Sequence, residues 1–431
     1  MQYINDIDVF FVQNQEFSQD IHLKSYFCTF VLTSKRIVKP QKNMLIPNEF
    51  DEIRPYYDEE VPETMTRLLA DPVFARVLQR LFVDDTKIQE IRESMLQTRN
   101  VESFQWRFMV PFLENIIMSS TQGITVEGLE HLEKDRSYLF ISNHRDIVLD
   151  SALLNIQMYK FGYNTTEIAM GSNLLIYQWI EDLSRVNRSF IVKRNIPVRQ
   201  MIESSKLLSA YIRKTVTNNG NSIWISQREG RSKDGLDLTS PALLKMLNMS
   251  NKRKFVRGFQ ELSIVPMAIS YEIEPCGNEK VAELLKRQSD PDFQKSERDD
   301  LLSMVSGLKS QKGRIQIQFG KPISRGSLKS LSKEGNINDR LKRLADYIDA
   351  QVYTNYKLFP NNYIAYDLYY NCNKYIDQYT LEEQKLFIEL THQRLKLVNE
   401  DREEAMELWL KMYSTPVYSF EHSSNPLSCE V

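Results

Sequence analysis

Histidine is scarce in this chain and cysteine scarcer: five and four among 431 residues. Cys28, Cys276, Cys372 and Cys429 form no CxxC pair and lack metal-ligand spacing. That argues against a zinc site and a disulfide framework, and scattered thiols suit a reducing compartment. No stretch reaches the roughly 18–20 uncharged apolar residues needed to span a bilayer. The best candidates, residues 25–34 and 168–180, stop short. No secretory signal with a charged start, an apolar middle and a small-residue cleavage site opens the chain. The formal net charge is only −2, which gives no general affinity for nucleic acid. A P-loop, a GxGxxG after a strand and a GxSxG elbow are also missing, so kinases, dinucleotide dehydrogenases and serine hydrolases lose ground. The expectation is a cytoplasmic protein that touches a membrane at its surface.

What is present supports a large folded body. Hydrophobic residues make up 42% of the chain and charged residues 26%, and the length suits about two to three domains. Residues 1–43 show no sustained period and read as an N-terminal extension. Residues 44–121 read as a helical region, with apolar residues at threes and fours. The amphipathic, aromatic segment 104–120 is expected to pack on the core, with a membrane surface as the alternative. From 122 to 330, strands alternate with helices. Strands are expected over 136–143, 188–194, 262–273 and 313–323, a turn and then a strand over 217–227, and helices over 149–162 and 195–216. Such alternation predicts an α/β domain with a largely parallel sheet. Residues 331–431 read as a second helical region whose tail frays after Pro416.

Charged groups gather where strands should end, which is where open α/β sheets place their sites. His144 follows "YLFISN", Lys193 and Arg194 follow "SFIV", and Arg228–Arg231 follow "SIWISQ". A histidine beside a carboxylate is a general-base pair: the carboxylate holds one ring nitrogen and the other takes a proton. Nearby arginines suit a phosphate, which they grip bidentately. Two aspartates compete for His144. Asp146 has one residue between and Asp150 has five. Asp150 would also sit in the first turn of a helix, favoured there by the helix dipole.

Four segments in order resemble the sequence blocks of the glycerolipid acyltransferases, the superfamily of glycerol-3-phosphate and 1-acylglycerol-3-phosphate acyltransferases. They are "ISNHRDIVLD" (141–150), "RSFIVKRN" (188–195), "EGRS" (229–232) and "IVPMAISYE" (264–272), with Pro266 central in the last. The resemblance covers about residues 122–325. It implies direct acyl transfer from acyl-CoA or acyl carrier protein, with no cofactor, metal or covalent intermediate. His144 would be the base and Asp150, or else Asp146, its partner. Arg194, Glu229, Gly230, Arg231 and Ser232 would bind a glycerophosphate or lysophospholipid acceptor, helped by Arg145. A protein with such a substrate is expected at the inner face of a membrane, bound peripherally. Two spacings depart from the family pattern: Asp150 lies one residue farther from the histidine, and Gly230 and Arg231 are adjacent where the family commonly has one residue between. A non-catalytic lipid or carrier-binding module and a thioester hydrolase are the alternatives. The basic run 251–258 is read as a solvated loop or a contact for anionic head groups or an acidic carrier.

Overall fold

The computed structural model describes residues 48–81, 84–398 and 402–423. The expected extension 1–43, with His22 and Cys28, and Cys429 lie outside them. Two compact units form: Tyr57–Asn100 with the segment up to Glu52, and Val101 onward with Ile53–Tyr56.

In the first unit the helical pattern splits into Val61–Ala70, Pro72–Leu81 and Asp85–Leu96. The break falls before Pro72, which lacks an N–H and disfavours helical backbone in the residue ahead of it. Asp71 takes extended backbone and caps the new helix, accepting from Val73 N at 2.7 Å and Phe74 N at 2.9 Å.

The second unit is built on one seven-stranded sheet. Its strands are β1 (Ile124–Glu127), β2 (Leu139–Ser142), β3 (Glu167–Gly171), β4 (Ser189–Val192), β5 (Ile223–Ser226), β6 (Ile264–Tyr271) and β7 (Ile315–Phe319). Their spatial order is β1-β7-β6-β2-β5-β3-β4, and only the β6–β7 pair is antiparallel. The largely parallel α/β sheet is as expected. Two strands were not. β1 is a short strand whose residues alternate between half-buried and exposed, and β3 merges in sequence with the apolar run that follows it.

Each β2 residue is buried, as is each of the eight in β6, consistent with central strands covered on both faces. One face packs against the helix Leu149–Lys160 and against Val110, Phe112, Ile116 and Ile117 of the helix Val110–Ser120. The segment 104–120 therefore packs on the core. The helix Pro241–Asn248 packs against both Val198–Lys214 and Ile337–Asn355, and the last of these packs on β6.

The C-terminal region builds its own core. The helices Pro360–Tyr369, Leu381–Leu395 and Arg402–Glu421 pack with Gly277–Ser289 around Trp409, which is fully buried. The tail does not fray at Pro416: the helix continues to Glu421 with the proline inside it. Pro416 has no N–H for the Met412 carbonyl. That carbonyl faces Gly235, where a Cβ would lie 2.2 Å from it. The side chain of Asn362 takes up the next carbonyl, Tyr413 O, at 2.9 Å. Neighbouring groups thus surround the break in the helix ladder. Among the described residues no helix is long and apolar enough to cross a membrane.

Candidate active site

Strands β2, β5, β3 and β4 lie side by side and parallel, so their carboxyl ends open on one edge. Along that edge stand His144 after β2, Glu229–Ser232 after β5, Gly171 ending β3, and Arg194 after β4. Pro266 does not belong to this edge. It sits inside β6, beside Ile141, and the group that β6 brings to its carboxyl end is Tyr271.

The carboxylate against His144 is that of Asp150. His144 Nδ1 lies 2.8 Å from Asp150 Oδ2. The same oxygen accepts from Arg145 N at 2.6 Å and Asp146 N at 3.0 Å, while Oδ1 accepts from Tyr271 OH at 2.7 Å. Four donors fill the acceptor capacity of a carboxylate. Burial would raise the Asp150 pKa, but the hydrogen bond and charge of His144, with the other donors, hold it below the ordinary value. An ionised, acceptor-only carboxylate makes Nδ1 the protonated nitrogen, leaving Nε2 as the acceptor. Nε2 has no hydrogen-bond partner among the described residues, and the His144 side chain keeps 15% of its surface exposed. Its ring stands edge-on to Trp224 at 5.6 Å. Trp224 Nε1 is itself tied to Ser142 Oγ at 2.9 Å.

Asn143 anchors the stem of this loop. Its side-chain amide donates to Ile269 O at 3.0 Å and accepts from Ile269 N at 2.9 Å, extending the β2–β6 ladder past the end of β2.

Asp146, the competing partner, has another task. Its Oδ1 accepts from Val148 N at 2.9 Å and Leu149 N at 2.8 Å, so it closes a turn and caps the helix Leu149–Lys160. With that turn in the loop, Asp150 returns to the imidazole. Burial, and then the charge of Asp150, raise the pKa of Asp146.

Arg145 is corrected outright. Expected to assist at the acceptor, it is fully buried and faces inward. Its guanidinium pairs with Asp237, reaches Glu274 at 3.5 Å, and stacks over Tyr356 at 5.3 Å. Lys280 completes the cluster, binding Glu274 Oε1 at 2.5 Å and the Arg145 carbonyl at 2.7 Å. Burial alone would lower the Arg145 pKa, but Asp237 and Glu274 hold the guanidinium charged, well above the ordinary value. A guanidinium so paired with buried carboxylates positions the backbone beside His144, although its Nε is also buried without a hydrogen-bond partner.

The other arginines differ. Arg194 pairs with Glu229, whose side chain is 77% exposed, and its backbone N donates to Ser172 Oγ at 3.0 Å. Its Nε is buried and has no hydrogen-bond partner. Gly171 makes room for it: a Cβ there would lie 2.6 Å from that nitrogen. Burial pulls the Arg194 pKa down, against the nearby charge of Asp300 in the helix Glu297–Lys309. Arg231 is buried too, with Nη1 unpartnered. Orphaned guanidinium donors at a strand-end rim are what a bound anion would satisfy. Gly230 takes a left-handed conformation, φ +75°, which reverses the chain so that Ser232 N donates to His144 O at 2.9 Å. The Ser232 hydroxyl donates to Leu236 O at 3.0 Å and so shapes the loop.

Tyr271, Gly171, Ser172 and the role of Asn143 escaped the sequence reading. A tyrosine at the end of a largely apolar strand was the available signal, since a buried phenol seeks a partner. Of the other histidines, His131 Nδ1 lies 3.3 Å from Phe319 O and His422 Nδ1 lies 2.8 Å from Tyr418 O. No group of three or more potential metal ligands occurs among the described residues.

Residues 123–270 match the family model described as Acyltransferase. Over 210 residues, 48% of this chain, the sequence is 24% identical to "Glycerol-3-phosphate acyltransferase" of Pseudomonas fluorescens (strain SBW25). The match spans only 24% of that protein's length. A solved structure, the 1-acyl-sn-glycerophosphate (LPA) acyltransferase PlsC from Thermotoga maritima, aligns over 66% of this chain and 91% of that one, at 14% identity and a TM-score of 0.31.

Proposed function

From the match of residues 123–270 to the Acyltransferase family model we propose that this chain is a glycerolipid acyltransferase, which moves a fatty acyl group from a thioester to a hydroxyl of a glycerol-phosphate-type acceptor. The observation that carries the reading is the 2.8 Å contact between His144 and a fully hydrogen-bonded, buried Asp150.

In this mechanism Asp150 holds the Nδ1 proton and steadies the imidazolium. His144 Nε2 takes the proton from the acceptor hydroxyl as its oxygen attacks the thioester carbonyl. A C–O bond forms, the C–S bond breaks, and the imidazolium returns the proton to the leaving thiolate. Arg194 and Arg231 hold the acceptor's phosphate. Glu229 masks Arg194 in the resting protein and yields to that phosphate. Glycerol 3-phosphate and 1-acylglycerol 3-phosphate both suit this site, as do acyl-CoA and acyl carrier protein as donors.

The test is product analysis by mass spectrometry, with purified protein, both acceptors and both donor types. The expected result is an acylated acceptor with the wild type and none with His144→Ala, which should keep the same circular dichroism. Undiminished transfer by His144→Ala would sink the reading.

A further inference from the structure

The helix Val198–Lys214 begins four residues after Arg194 and carries buried side chains only in its second half: Leu208, Ser209, Tyr211 and Ile212. Its first six residues, Val198–Glu203, are all exposed. They nonetheless present Val198, Met201 and Ile202, which are 75%, 49% and 52% exposed. Packing within the described residues gives no account of these apolar side chains.

The helical repeat aligns Val198, Ile202, Lys206, Ala210 and Arg213 on one side. That stripe leads from the apolar tip into a groove of about 410 Å³ lined by Lys206, Ala210, Arg213, Lys214, Met249 and Lys252. The segment Val198–Lys214 has four basic residues and one acid, Glu203, and residues 250–258 have four basic residues and no acid. Glu261 partly offsets Arg213 at 3.4 Å and Arg253 at 3.6 Å. Arg199, Lys206 and Lys252 make no ion pair among the described residues.

We propose that this stripe docks on an anionic lipid bilayer, with Val198, Met201 and Ile202 inserted among the acyl chains and the cations of the groove against the head-group phosphates. The inference rests on the acyl-transfer reading for why a bilayer should be the partner. The polarity along the helix matches the order of environments at a bilayer interface, apolar first and anionic behind it. The connectivity gives the docking a purpose. β4 ends at the carboxyl edge of the sheet, so the helix that follows starts there. Its tip lies on the same edge as His144, and docking brings that edge to the membrane that holds a lipid acceptor.

The experiment is vesicle co-sedimentation of the full chain, with phosphatidylcholine alone or mixed with phosphatidylglycerol. Wild-type protein should bind the mixed vesicles, more weakly at high salt. The pair Met201→Glu and Ile202→Glu should lower partitioning about tenfold or more. The pair Lys206→Glu and Lys252→Glu should abolish the preference for phosphatidylglycerol. Thermal unfolding should match wild type, and transfer onto water-soluble glycerol 3-phosphate without vesicles should be unchanged. Absence of vesicle binding by the wild type, or equal binding by the variants, overturns the proposal. So does loss of vesicle-free transfer in the variants, or a stripe that captures only an acidic acyl carrier and no vesicles. If no acceptor is ever acylated but the vesicle results hold, the docking stands and the activity assignment falls.

Discussion

Asp150 depends on a particular set of donors. Three point at Oδ2, two of them backbone N–H groups that cannot turn away. In Asp150→Asn, either the amide NH2 meets those donors or it flips to face Tyr271, and in both cases the charge that stabilises the imidazolium is gone. We expect kcat to fall by about 10²–10⁴ with little change in KM, read by steady-state kinetics. A variant above a tenth of wild-type kcat would mean that the pair is structural. The arginines separate by the same reasoning. Arg145→Met leaves Asp237 and Glu274 buried without their guanidinium and should cost about 3–5 kcal/mol in urea unfolding. Arg194→Ala removes a partly exposed group and should leave the unfolding midpoint nearly unchanged while raising the acceptor KM. If Arg194→Ala proves the more destabilising, these assignments are reversed.

At the scale of elements, the loops after the strands carry the chemistry and the helices tension them. The loop 143–149 works because Asn143 pins its start to β6 and Asp146 caps its end. The helix Ile337–Asn355 holds the far end of the loop that follows β5: Asp349 Oδ1 accepts from Thr239 N at 2.7 Å. Burial, with Asp346 and Asp237 nearby, pushes the Asp349 pKa up to about 7. A folded-state pKa above the unfolded value means that the folded protein binds the proton more tightly. Stability from this group therefore rises as pH falls from about 7 towards about 4 and is lost again above 7. Asp349→Asn keeps the acceptor without the charge. It should raise Tm relative to wild type at pH 8, with the gap narrowing steadily below pH 7 and closing near pH 4. A gap that stays constant with pH would show that Asp349 is not the titrating group.

At the scale of the whole molecule, the C-terminal helices are part of the site's foundation. Tyr413 OH accepts from Glu274 N at 2.8 Å. Glu274 holds Arg145 and Lys280, and Lys280 holds the carbonyl of Arg145, next to His144. Trp409 packs against Gly277, where a Cβ would lie 2.7 Å from its ring. Trp409→Ala should cost about 3–5 kcal/mol, measured by urea denaturation, with kcat of the folded fraction preserved below the transition. Unchanged stability would detach this region from the catalytic domain.

Much of this was legible in the chain. Alternating strands and helices announced a largely parallel sheet, because buried strands read as apolar runs and amphipathic helices as a 3.6-residue period. Charged residues directly after three such runs located the rim, since the carboxyl ends of parallel strands meet there. What sequence distance alone could not decide was direction. Arg145 and His144 are adjacent, yet one faces a buried carboxylate cluster and the other the open edge. Asp146 is nearer to His144 in sequence than Asp150, yet a turn gives it the helix N-terminus and gives Asp150 the imidazole. Tyr271 arrives from 121 residues away. Local pattern sets which residues share an element. Only packing of β6 beside β2, with the C-terminal helices behind, determines which donor each buried carboxylate finds.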